Sequence, residues 1–106
     1  MLSETGGASS LLLVDVGNTS TTLGLARNGK IRRTGRVPTH VTDPDRAYRR
    51  AILRLVGSHR VGDAILCSVV PTRNPIWIRV LRVLCGRKPV IVSHRITLGI
   101  PIRDRK

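Results

Sequence analysis

The run Leu11-Leu12-Leu13-Val14-Asp15-Val16 constrains the fold of this chain more than any other feature. Apolar character without the alternation of a half-exposed strand is what a strand buried on both faces requires. Such strands lie inside layered α/β sheets with helices packed on them. Asp15 sits near the end of the run, where burying a carboxylate is costly unless a cation or several donors meet it.

The segments that follow read in order. Gly17-Asn18 predicts a turn, with Asn18 suited to the left-handed conformation. Residues 19–26 predict a second strand, β-branched and alternating through Leu23 and Leu25. Asn28-Gly29 is a stronger hairpin signal, and residues 31–37 form a third strand polar enough for a sheet edge. Thr42-Asp43-Pro44 opens a helix. In it Ala47, Tyr48, Ala51, Ile52, Leu55 and Val56 recur at helical spacing, Arg46, Arg49, Arg50 and Arg54 take the other side, and Gly57 is the stop. Residues 64–70 predict a further buried strand, ended by Pro71. Asn74-Pro75 opens a second helix with Ile76, Trp77, Val80, Leu81 and Leu84 inward, and Gly86 ends it. Residues 89–92 make a short last strand. The order is βββαβαβ, and the strand–helix–strand crossovers imply parallel pairing of the first, fourth and fifth strands. Residues 1–10, rich in Gly and Ser, read as a disordered leader, and residues 11–106 as one lobe. The segment 97–102 is apolar although the chain stops soon after it, at Lys106.

Composition narrows the function classes. Aromatics make up 2% of the chain, Tyr48 and Trp77 with no Phe, so the core is built from Leu, Ile, Val and Ala. No stretch approaches the roughly 20 apolar residues that span a bilayer, and the start lacks the basic region of a signal peptide. The expected location is the cytoplasm, without membrane contact. Cys67 and Cys85 lack metal-ligand spacing and are expected to be reduced, buried thiols, a disulfide being the alternative. The formal net charge of +13 at pH 7 suits nucleic acid, an anionic membrane or a phosphorylated ligand. Yet the arginines are spread through the chain, and the stacking aromatics of single-strand readers are almost missing. The charge therefore reads as a solvated arginine-rich surface or a face that meets an acidic partner lobe, with nucleic acid not the expected partner.

The chemistry concentrates in Asp15-Val16-Gly17-Asn18-Thr19-Ser20-Thr21-Thr22. Gly17 lets a ligand approach the backbone. The hydroxyl residues and backbone N–H groups can hold phosphate oxygens, and Asp15 is placed as a metal ligand for hydrated Mg²⁺. No Lys follows the glycine and the turn leads into a strand, so this is not a P-loop. The alternative is an ordinary hairpin in which Asp15 and Asn18 hydrogen-bond their own turn. Elsewhere, His40, His59 and His94 have no partner at a telling spacing. Trp77 reads as core, Asp43 and Asp45 as helix-start residues, and Thr39 and Thr42 as loop.

This turn, after the first buried strand of a strand-strand-strand-helix unit, resembles the phosphate-binding turn of the actin-like, sugar-kinase and heat-shock ATPase superfamily. More narrowly, the chain resembles the type III pantothenate kinases. Leu13-Val14-Asp15-Val16-Gly17-Asn18-Thr19 matches their first phosphate motif. Leu23-Gly24-Leu25 and Gly29-Lys30-Ile31 continue the meander, and Ser68-Val69-Val70-Pro71 ends the next buried strand. Lys88-Pro89-Val90 and Gly99-Ile100-Pro101-Ile102 match the approach to the pantothenate site.

The resemblance implies a ribonuclease-H-like α/β lobe, as in actin-like ATPases, and ATP-dependent phosphorylation of pantothenate, the first step towards coenzyme A. It implies Mg²⁺ with ATP, a monovalent cation (K⁺ or NH₄⁺) and a homodimer. Residues Asp15 to Thr22 would hold the ATP phosphates and Asp15 the metal. The family's Gly-Ala-Asp-Arg segment, carrying the catalytic base, is expected beyond Ile102 and is not found. Asp104 lacks the Gly-Ala before it, so the chain offers no catalytic base of its own. The expectation is an N-terminal fragment without its second lobe. The rival readings are a basic nucleic-acid-binding protein on the same fold and a nucleotide-binding pseudo-kinase.

Overall fold

A computed structural model of the chain describes residues 9–92. The expectations placed on residues 1–8 and 93–106, including the leader, the apolar segment 97–102, His94 and Asp104, lie outside the described residues. The elements are β1 (Ser10–Val16), β2 (Ser20–Arg27), β3 (Lys30–Pro38), α1 (Pro44–Val56), β4 (Val61–Ser68), a 3₁₀ turn (Pro71–Arg73), α2 (Asn74–Cys85) and β5 (Val90–Val92). They form a sheet of order β3-β2-β1-β4-β5. The first two pairings are antiparallel, whereas β1–β4 and β4–β5 are parallel. The mixed βββαβαβ sheet and its polar edge strand β3 are as expected.

Side-chain alternation along β1 divides the core. Leu12, Val14 and Val16 face the helices and pack with Leu23, Leu25, Ala64 and Leu66 against Tyr48, Ile52, Trp77 and Leu81. Leu13 turns to the other face with Ala26, where Leu11, Ile31 and Ile65 adjoin it. The strand is thus buried on both sides, and each fully buried aliphatic side chain contributes about 1.5–3 kcal/mol. The two aromatic rings stack on each other beneath the sheet, centroids 4.0 Å apart and planes 8° from parallel. Trp77 is fully buried, in keeping with its reading as core.

The termini of the elements follow local chemistry. Asn28 (φ 53°) and Gly29 (φ 76°) both take left-handed conformations, as a type I′ hairpin requires. The Asp43 carboxylate accepts the backbone N–H of Arg46 and caps α1. Gly86 ends α2 at φ 77°, its N–H donating to the Arg82 carbonyl.

Several boundaries differ from expectation. Strand β1 begins at Ser10, whose N–H donates to the Arg60 carbonyl, so this residue belongs to the sheet and not to the leader. Strand β4 runs Val61–Ser68, earlier than the expected 64–70. Ser10 and Leu11 recruit Val61 and Asp63 by parallel pairing. At the other end the Val70 N–H turns back to Ser68 Oγ. Neither cysteine is in a disulfide among the described residues; Cys67 is buried, but Cys85 is only half-buried, in the last turn of α2. Among the described residues no helix is long and apolar enough to cross a membrane.

Asp45 ties the two helices together. Its carboxylate accepts from Arg49 on the next turn of α1 at 2.7 Å and from Arg79 of α2 at 2.8 Å. The hydrogen bond from Arg79, helped by the charge of both guanidinium groups, holds its carboxyl below the ordinary value of 3.8. A carboxylate with a depressed folded-state value stabilises the fold above its unfolded-state value and loses that contribution as pH falls through the folded one. Asp45→Asn is therefore expected to lower the melting temperature slightly at pH 7. The gap from wild type should close as pH drops below about 4 in a calorimetric series; a gap that persists at lower pH would show that the ion pairs are not its source.

Candidate functional site

Asp15 stands at the carboxyl end of the central strand with 2% of its surface exposed. Its register partners are Thr22 on β2 and Cys67 on β4. These three residues form a row across the sheet on the face turned away from the helices. The chain then leaves β1 through the turn at residues 17–19, closed by the Gly17 N–H donating to the Ser20 carbonyl at 3.0 Å. Asn18 and Thr19 are exposed at its tip and Ser20 is half-buried. Neither Gly17 nor Asn18 has a positive φ; Asn28 is the non-glycine residue that does among those described. The expected left-handed Asn18 is thus corrected: a three-residue connection closed in this way does not need it.

The eight residues expected to form one phosphate site divide between two faces. Asp15 and Thr22 line the face away from the helices, and Gly17, Asn18, Thr19 and Ser20 form the rim. Val16 is core: its side chain is fully buried and its carbonyl accepts the Val69 N–H at 3.0 Å. Thr21 points towards the helices, fully buried, its hydroxyl 3.0 Å from that of Thr39.

Thr39 is the residue that sequence reasoning missed. It follows β3 as an irregular position, as a loop residue would, yet it is fully buried beneath the turn. Its backbone N–H donates to the Thr19 carbonyl at 3.0 Å. Its hydroxyl donates to the Gly17 carbonyl at 2.8 Å. That proton is thereby committed, so in the Thr21–Thr39 pair Thr21 is the donor. The Tyr48 hydroxyl in turn donates to the Thr39 carbonyl. Burial pushes the Tyr48 phenol up from its ordinary value, which keeps it a donor. Thr39 thus clamps the turn from below and connects it to the ring stack between the helices. The weak signal for it was a small hydroxyl residue directly after an edge strand.

The remaining candidates fall outside this site. His40 is exposed, its ring 3.4 Å from the Arg73 guanidinium. His59 Nδ1 lies 2.9 Å from the Val56 carbonyl just beyond α1. Asp63 is exposed and meets Arg87 at 3.5 Å.

A buried-strand carboxylate, a glycine-led hydroxyl turn into an antiparallel hairpin and a 3-2-1-4-5 mixed sheet together define a ribonuclease-H-like lobe, the N-terminal lobe of actin-like ATPases. Within that class, the chain belongs to the type III pantothenate kinase family, whose sequence model matches residues 11–106. It is similar to the type III pantothenate kinase of Geotalea uraniireducens, 34% identical over 98 residues, covering 88% of this chain and 38% of that protein. It is likewise similar to that of Syntrophobacter fumaroxidans, 36% identical over 98 residues, covering 87% and 38%. A third relative, from Thermosipho africanus, is 36% identical over 86 residues, covering 80% and 34%. The chain thus spans little more than a third of the length of these relatives.

Removing the Thr39 hydroxyl should expose its importance. Thr39→Val leaves the Gly17 carbonyl and the Thr21 hydroxyl without their buried partner, which costs about 1–3 kcal/mol. Thr39→Ser keeps the hydroxyl and should recover most of that loss. Urea denaturation of the two variants checks this, and equal midpoints would show that the clamp contributes little.

Proposed function

We propose that this chain is the nucleotide-phosphate-binding part of a kinase that transfers the γ-phosphoryl group of ATP to a hydroxyl of pantothenate, releasing ADP and the hydroxyl proton. The observation that carries the reading is the buried Asp15 carboxylate at the end of β1, beside the hydroxyl-bearing turn. In this reading Gly17, Asn18, Thr19 and Ser20 offer backbone N–H groups and hydroxyls to the phosphates. Asp15 and Thr22 face the metal, and Val16, Thr21 and Thr39 hold the turn in place without touching ligand. Membership of the family supports pantothenate as the acceptor; a second copy of the chain as a partner belongs to the proposal by resemblance alone.

The donor set fits Mg²⁺ of a particular kind. Among the described residues no three His, Cys, Asp or Glu side chains come together as a metal cage. A single carboxylate beside hydroxyls suits a hydrated Mg²⁺ that takes its other ligands from nucleotide phosphates. When bound, such an ion neutralises charge on the phosphates. A monovalent cation, K⁺ or NH₄⁺, belongs to the proposal by resemblance alone. The rival reading as a basic nucleic-acid-binding protein on the same fold gains no support from base stacking, because both aromatic rings are fully buried and stacked on each other, leaving neither as a platform for bases.

Calorimetric titration with ATP, with and without Mg²⁺, tests the assignment. Mg²⁺ should tighten ATP binding to the wild-type chain by on the order of tenfold, a size typical of one charge-assisted contact. Asp15→Asn should remove that dependence and leave the far-UV spectrum unchanged. Identical Mg²⁺-dependent binding by both would overturn the role given to Asp15.

A further inference from the structure

The phosphate turn makes no use of the arginines that give this chain its charge, and several of them gather on another surface. A trough runs between the edge strand β3 and helix α1. It consists of two hollows of about 450 and 430 Å³, which share Arg36, Ala51 and Arg54 in their walls. At one end Val37 and Pro38 face Asp43 and Ala47; at the other Arg33 and Thr34 face Leu55. Strand and helix therefore lie antiparallel, side by side. The small side chains of Ala47 and Ala51 leave the floor open, while Arg46, Arg50 and Arg54 rise from three successive turns of α1 along one wall.

Three features of this trough bear on what it could receive. First, Arg36, Arg46, Arg50 and Arg54 are exposed, and none pairs with a carboxylate among the described residues. Asp45 is engaged by Arg49 and Arg79 instead, and Asp43 caps the helix. Like charges four residues apart on a helix repel, so the 46–50–54 stripe weakens the isolated lobe. Second, among the described residues β3 is an edge strand of the sheet with no strand paired along its outer side, the side on which an edge can accept another strand. Third, the spacings agree. Residues four apart on a helix are about 6 Å apart along its axis, and every second residue of an extended strand is about 6.7 Å further on.

We propose that the trough binds an extended acidic peptide, which adds to β3 as a further strand and sets carboxylates at alternate positions against Arg46, Arg50 and Arg54. The backbone of β3 supplies main-chain pairing, and the helical arginines select the side chains, the division of labour usual when a peptide joins a sheet edge beside a helix. A nucleic acid strand could match the charge but not the edge, since it has no alternating N–H and C=O groups to pair with β3. This proposal is independent of the kinase reading, because it concerns residues outside the phosphate turn.

The probe is a fluorescein-labelled peptide of alternating Glu and Val, read by polarisation against the chain at moderate salt. Three competitors accompany it: the same peptide N-methylated at alternate residues, its Lys-for-Glu counterpart, and an oligothymidylate of equal charge. Binding is expected to weaken roughly tenfold with Arg50→Glu, as for loss of a charge-assisted pair, and to survive Arg82→Glu on the exposed side of α2. Arg50→Gln, which adds no new charge, should give a smaller loss in the same direction and guards against misfolding of the reversal. The N-methylated and lysine peptides should not compete, and amide shifts in an NMR titration should centre on residues 34–37. Failure of the glutamate peptide to bind, affinity unchanged in both Arg50 variants, or competition by the N-methylated peptide would each overturn the proposal. Oligothymidylate binding tighter than the peptide would overturn it in favour of a polyanion surface.

Discussion

Everything in this lobe is arranged around a central strand that must be buried along both faces and still end in a carboxylate. Strand β1 satisfies its backbone by pairing antiparallel with β2 and parallel with β4. Its side chains divide between the helix-packed core and the opposite face. Low-dielectric surroundings make a charge at the end of such a strand expensive in isolation. The sheet answers by gathering polar residues there: Thr22 beside Asp15 in register, then the turn with Asn18, Thr19 and Ser20. Placing the carboxylate one residue earlier or later would send it into the helix layer among Val14, Val16 and Leu66, because side chains alternate along a strand.

A second line of dependence runs at right angles to the sheet. The turn rests on Thr39, Thr39 on the hydroxyl of Tyr48, and Tyr48 on the ring of Trp77. Tyr48 belongs to α1 and Trp77 to α2, so the mutual position of the helices fixes the height at which the turn sits. Asp45 and Arg79 bridge the same helices at the surface. A shift of α2 along α1 would therefore reach the Gly17 carbonyl through side chains in direct contact. The turn is thus held from beneath by packing and by hydrogen bonds between uncharged groups.

Much of this was legible in the residues. The unbroken run at 11–16, the Asn-Gly hairpin at 28–29, the Asp43-Pro44 helix start and Gly86 each carry a local physical reason that tertiary structure did not override. What could not be read depended on contacts between distant segments. Thr39 has no local signature of burial; its role exists because β3 brings it under a turn some twenty residues earlier in the chain. Gly62 and Asp63 carry no apolar strand signal of their own, and the start of β4 is set by its pairing with Ser10 and Leu11 of β1. Asn18 illustrates a different failure, since residue preference pointed to a left-handed turn whereas the closing hydrogen bond to Ser20 set the geometry. Within the candidate site, the sequence placed Asp15 through Thr22 together, but only strand alternation in the folded sheet separates Thr21 from Thr22.

The ring stack also shapes how this protein presents itself to light. The chain has one Tyr, one Trp and no Phe, and the two rings lie against each other in the dry interior. Its near-ultraviolet absorption and emission therefore arise from a single chromophore pair, sensitive to the packing of α1 on α2 and joined through Thr39 to the turn at residues 17–19. No surface ring adds a background signal. An optical change on adding a ligand would report on the seat of the turn itself, with no label introduced.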